Sequence, residues 1–166
     1  MKKFMKTMFV FIVILLFAHS AFAAVGTVTG AATVVKKIAG QPAVVKVVLT
    51  CTGGTAGEAG TYPATVINTL SGVSSTTLLG LNLHYIQVYP GGTAPVDASD
   101  MTITMDGVDI LGGRGTDLID NTSLTSCAPG TVGAVGDIPI TGNITLNISG
   151  NTTASAVVTI ILTFIN

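Results

Sequence analysis

Apolar and polar residues alternate along most of this chain. In Asn143–Ser149, Ile144, Leu146 and Ile148 share one side, and Asn143, Thr145, Asn147 and Ser149 share the other. Met101–Met105 repeats the pattern, with Met101, Ile103 and Met105 set against Thr102 and Thr104. Period two marks a strand with one buried face, because successive side chains leave a pleated strand on opposite sides. Between Ala156 and Phe164 the pattern changes. One face (Ala156, Val158, Ile160, Leu162, Phe164) is wholly apolar, while the other sets Thr159 and Thr163 between Val157, Ile161 and Ile165. Such a strand belongs in the middle of a sheet, buried on one side and partly covered on the other. It is expected to pair internally, since an exposed edge this apolar invites aggregation.

Further runs read as strands at Val25–Val35, Ala43–Thr50, Ala64–Leu70, Thr76–Leu81 and Leu83–Tyr89. Turn-forming clusters separate them, among them Gly40-Gln41-Pro42, the glycine-rich Thr52–Gly60, Pro90-Gly91-Gly92 and Asp106-Gly107. Residues 140 to 165 read as a β-hairpin turning at Ser149-Gly150-Asn151-Thr152. No stretch carries the apolar spacing of an amphipathic helix over three turns. The pattern predicts an all-β chain, folded as an antiparallel β-sandwich of Ig-like or jelly-roll type.

The first residues follow a different logic. Lys2, Lys3 and Lys6 precede the apolar run Met8–Ala18, and Ala21-Phe22-Ala23 is a small-residue cleavage site. That is the layout of a signal peptide over residues 1–23, and the run is too short to cross a bilayer as an anchor. The expected mature chain, residues 24–166, is the length of one ordinary domain with no membrane span. It is secreted, periplasmic or on the cell surface. It keeps four basic residues (Lys36, Lys37, Lys46, Arg114) against eight acidic ones, a net charge of −4. So few cations cannot neutralise many phosphates, which argues against nucleic-acid binding.

Cys51 and Cys127 are the only cysteines, and both fall in the exported part. An oxidising compartment makes an intramolecular disulfide Cys51–Cys127 the first expectation, with free thiols or an intermolecular bridge as the alternatives. Closing so long a loop is worth up to about 4 kcal/mol. Enzyme chemistry has little to draw on. His84 is the one histidine beyond the leader, on a strand position opposite Leu83 and Tyr85, and no G-x-S-x-G elbow surrounds any serine. The chain is expected not to be an enzyme.

Aspartate is the exception to this scarcity. Asp97, Asp100, Asp106, Asp109, Asp117 and Asp120 crowd into one stretch, and Gly112–Asp120 (GGRGTDLID) fits the calcium-binding nonapeptide of parallel β-helices. Calcium wants several oxygen ligands, so Asp106, Asp109, Asp117 and Asp120 are the candidate ligands. A parallel β-helix needs stacked repeats, however, and this nonapeptide occurs once. Aspartate also bonds to the backbone of its own turn, without any ion. Four N-x-[ST] triplets, at Asn121, Asn143, Asn147 and Asn151, read as solvent-facing strand positions.

The runs Tyr89–Asp97, Asp100–Ile103, Asp106–Gly115 and Gly142–Gly150 carry a resemblance. Over about residues 85 to 165 the chain resembles a group of small β-rich proteins from bacterial and phage genomes that has no established activity. The resemblance implies a framework of strand, Asp-Gly hairpin, strand and glycine loop, and phage members of the group suggest structural or surface roles. It transfers no functional residue. The chain departs from the group in its leader and its two cysteines. The expected function is a non-catalytic structural or binding protein that self-assembles or meets another surface protein. The alternative is a calcium-dependent adhesion or carbohydrate-binding module built on the Asp/Gly-rich loops.

Overall fold

The structure is a computed structural model that describes residues 24–36, 44–55 and 58–166. The expected signal peptide and Lys37 lie outside the described residues. The strands are β1 (Thr27–Lys36), β2 (Val44–Thr52), β3 (Thr65–Val66), β4 (Asn82–Pro90), β5 (Asp100–Met105) and β6 (Val108–Asp109). They continue with β7 (Thr125–Cys127), β8 (Gly130–Thr131), β9 (Ala134–Val135), β10 (Ile138–Pro139), β11 (Ile144–Ser149) and β12 (Val157–Ile165). Among the described residues the single α-helical turn, α1, is Ser75–Leu78. Among the described residues no helix is long and apolar enough to cross a membrane.

The strands form two main antiparallel sheets. The larger has the order β1-β2-β12-β4-β10, with β7 also on β4; the smaller has the order β3-β11-β5-β6, and β8 and β9 form a separate hairpin. The pairing is nested. β2 pairs with β12, β3 with β11, β4 with β10 and β7, and β5 with β6, so early strands meet late ones in reverse order. One core lies between the sheets. The larger contributes Val47, Leu49, Ile86, Ile160, Leu162 and Phe164, and the smaller Met101, Ile103, Ile144 and Leu146. Each such side chain contributes about 1.5–3 kcal/mol through removal from water.

The period-two reading places most of these elements. β11 buries Ile144, Leu146 and Ile148, and β5 buries Met101 and Ile103. β12 runs between β2 and β4 along its length, so the last strand is internal, as its two apolar faces require. The Asp106-Gly107 hairpin has φ of 50° and 85° at its central residues, the left-handed pair of a type I′ turn.

Three expected elements change. Thr76–Leu81 is not a strand: Ser75–Leu78 makes one helical turn that inserts Leu78 into the core, and Gly80 follows at φ 82°. A left-handed glycine after the last turn is an ordinary helix stop. Ala64–Leu70 is a strand only at Thr65–Val66, then a 3-10 turn over Ile67–Thr69. Residues 140 to 165 are not a hairpin, because β11 and β12 belong to different sheets and do not pair. The connection crosses the sandwich instead of reversing in its own sheet, and Asn151 is the residue that holds it.

Asn151 is therefore not a solvent-facing position. It is buried, and its Oδ1 accepts from Val96 N at 2.8 Å and Thr153 N at 3.3 Å. Its Nδ2 donates to Gly60 O at 2.9 Å and Thr153 O at 3.1 Å. One amide thus ties three loops at the end of the sandwich where β2 finishes and β12 begins. Asn68 does the same at the opposite end, with Oδ1 accepting Ile144 N at 2.8 Å and Nδ2 reaching Gly142 O at 3.5 Å.

The Cys51–Cys127 disulfide is absent, and both thiols are free. The reason is topological. Cys51 stands opposite Val158, and Val158 opposite Pro90, whereas Cys127 stands opposite Ile86. The cysteines occupy one sheet three strands apart, about 14 Å across it and further along it, against the ~4.4–6.8 Å Cα separation of a disulfide.

Two outcomes follow for unfolding in urea. Curves with and without reductant will superpose, because no intrachain disulfide exists to cut. Asn151→Ala will lose about 3 kcal/mol by stranding buried loop donors and acceptors, while Asn147→Ala on the exposed face of β11 stays within about 0.5 kcal/mol of wild type.

Candidate functional site

The aspartate-rich stretch wraps the outer edge of the smaller sheet. β5 is flanked on one side by β11, and on the other by the chain that follows it. After β6, Ile110 N donates to Ile103 O at 2.8 Å, Met101 N to Gly115 O at 2.8 Å, and Ile119 N to Ser99 O at 3.0 Å. The nonapeptide Gly112–Asp120 is therefore an edge cover. Its glycines are needed there: Gly112 has φ 59°, and a Cβ on Gly115 would run into the Met101 carbonyl. Arg114 secures the cover, donating from Nη1 to Leu111 O at 2.9 Å and from Nη2 to Ala134 O at 3.0 Å. That second bond clamps the β8–β9 hairpin onto the loop.

The four calcium candidates do not converge. Asp106 lies in the turn after Met105 and Asp109 pairs with Thr104, at one end of β5. Asp117 lies at the other end, donating its N–H to Asp100 Oδ1 at 2.9 Å, with Asp120 beyond it. Four or five residues of strand separate the two pairs, on the order of 15 Å, while calcium takes its ligands at about 2.3–2.6 Å. Among the described residues no three of His, Cys, Asp and Glu stand together as a metal-holding group.

Asp97, Asp100, Asp109 and Asp120 accept backbone amides instead. Asp109 accepts Leu111 N at 3.0 Å on Oδ1 and Gly113 N at 2.8 Å on Oδ2. Asp97 accepts Ala98 N at 3.0 Å. Asp106 lies over Gly142, where a side chain would strike its carboxylate. Asp120 Oδ1 accepts Thr122 N at 2.7 Å, Ser123 N at 2.7 Å and Thr122 Oγ1 at 2.9 Å. The backbone N–H groups of Thr122 and Ser123, then the Thr122 hydroxyl, hold the Asp120 carboxyl below its ordinary value. Donors that favour the charged form always act in this direction.

Other reactive groups are scattered. His84 Nδ1 lies 2.7 Å from Asp137 Oδ1 with both side chains well exposed, which makes the contact worth little to stability. The residues are 53 positions apart, so only the pairing of β10 with β4 reveals the contact. Beside them Tyr85 donates to Ser126 Oγ at 2.6 Å. Burial pushes the Cys51 thiol up to about 12. Burial, opposed by the Arg114 charge and supported by that of Asp109, pushes Cys127 up to about 11. Thiols held that high are poor nucleophiles, because the thiolate is the reactive form.

Fold and site together define an antiparallel two-sheet β protein whose polar side chains fasten its own loops. No protein-family model and no curated protein matches the chain. Among solved structures it is similar to a chain of the cyanophage Pam1 capsid asymmetric unit, at 12% sequence identity over 87% of each chain and a TM-score of 0.34.

The depressed Asp120 carboxyl sets a pH dependence. A group with a lowered folded value stabilises the fold above its unfolded value, and that contribution disappears as pH falls through the folded one. The stability gap between wild type and Asp120→Ala will be full above 3.8, the ordinary value, and will close below it. Urea midpoints measured down an acid series read the effect directly.

Proposed function

We propose that this chain is an exported, non-catalytic structural protein that associates with copies of itself in the periplasm or at the cell surface. The use made of its reactive side chains carries the reading. Asp97, Asp109 and Asp120 hold backbone amides, Arg114 holds two carbonyls, and both thiols are shielded. Among the described residues His84 bonds to Asp137 and not to a serine, threonine or cysteine nucleophile. The nested strand order supports it further, because it reads as a jelly roll, an architecture found in viral capsid and lectin domains. Architecture alone does not fix function. The basic leader, short apolar run and Ala21-Phe22-Ala23 site support export.

A calcium-dependent binding module is the second reading, favoured by Asp100 and Asp117 meeting at one loop-bearing end of the sandwich. Light scattering across a concentration series separates the two. The self-associating protein will show a mass that rises with concentration and is indifferent to calcium. A strict monomer whose melting temperature climbs in millimolar calcium, with the gain lost in Asp117→Ala, belongs to the second reading and overturns the first.

A further inference from the structure

β12 carries apolar residues on both faces, but the described residues bury only one. Its inward row is fully buried, while the outward Val157, Ile161 and Ile165 are partly exposed and gain what shelter they have from neighbouring strands. No described element lies across the outer face of the larger sheet. Its central row runs Ala31, Val48, Ile161, Gln87, one residue from each of β1, β2, β12 and β4. Threonines flank this row: Thr29, Thr50 and Thr159 on one side, Thr33 and Thr163 on the other. The second flank also holds Lys46, the one charged side chain of these three rows. Tyr85 and Tyr89 complete them on β4, so two of the protein's three tyrosines stand here.

We propose that this face is the interface between copies of the chain, two molecules packing their larger sheets face to face. The inference rests on the self-association reading above and names its surface. Area is the first argument. Four strands about 4.8 Å apart and nine residues long, with the short strands beyond β4, present roughly 600–700 Å². Specific complexes begin at about 600 Å² per partner, so the face suffices for a second copy at the lower end of that range. Composition is the second argument, since interface centres are depleted in charge and enriched in tyrosine. A strand apolar on both faces belongs where both faces are covered, and a second copy supplies the missing layer.

Symmetry fits the charge. A two-fold axis along the central row reverses the rows, setting each Lys46 opposite the row of Thr29, Thr50 and Thr159. Like charges are kept apart and the ammonium meets hydroxyl oxygens. Stacked sheets of this kind lie about 10 Å apart, with strands inclined by roughly 30°.

Sedimentation equilibrium on the full exported chain tests the face, comparing wild type with Val48→Glu, Ile161→Lys and, on the distant β8–β9 hairpin, Val135→Glu. Val48 is already exposed, so Val48→Glu keeps the test alive if Ile161→Lys fails to fold. The expected result is association of wild type and Val135→Glu. Val48→Glu should melt like wild type yet associate at least tenfold more weakly, roughly 1.4 kcal/mol. Association of Val48→Glu equal to wild type overturns the face and leaves self-association standing. A wild type that stays monomeric overturns both.

Discussion

Backbone pairing on both sides of β12 is the constraint from which the rest of the architecture follows. β12 sits between β2 and β4 and buries Val158, Ile160, Leu162 and Phe164 in the core. The larger sheet therefore closes only when the end of the chain inserts between strands laid down much earlier. The same long-range logic repeats inward, β3 with β11 and β4 with β10, down to the local β5–β6 hairpin, so the fold is a ribbon wrapped on itself. Pairings this distant in sequence form slowly, because loop-closure entropy is lost before the contacts offset it.

A ribbon that crosses between sheets must turn corners, and corners expose backbone groups that a buried loop cannot leave unpaired. Asn151 and Asn68 solve this at the two ends with amide side chains that offer both donors and an acceptor. The aspartates solve it at the surface, where ionised oxygens accept amide N–H groups strongly. Asp97, Asp109 and Asp120 are thus committed to their own turns.

This division explains what was legible in the sequence. Alternation exposed β5, β11 and β12, because each buries one row of large aliphatic side chains, and the Asp-Gly pair exposed its own hairpin. Thr76–Leu81 misled, since two threonines and three leucines suit a strand as well as a short helix anchored by Leu78. Asn151 was invisible for a related reason: its partners Val96 and Gly60 lie 55 and 91 positions away. The cysteines show the limit of counting, as two thiols in a chain whose sequence reads as exported suggest a bond that strand order forbids. The nonapeptide was legible as a glycine-dependent loop but not as the cover of β5, which only pairing reveals.

The treatment of sheet edges bears on how such a molecule assembles. β1 has its outer edge interrupted where Ala32 N donates to Gly72 O at 2.8 Å. β5 is screened by the Gly112–Asp120 run, β3 is two residues long, and β4 is bordered by the short β7 and β10. Blunted edges discourage the open-ended strand addition that leads to fibres. The broad outer face of the larger sheet carries no such protection beyond Lys46. Packing through a face about a two-fold axis uses the same patch on both molecules and therefore closes on itself. Under the proposed association, guarded edges and an open face favour discrete pairing over polymerisation, so the sequence features that suppress aggregation would also set its geometry.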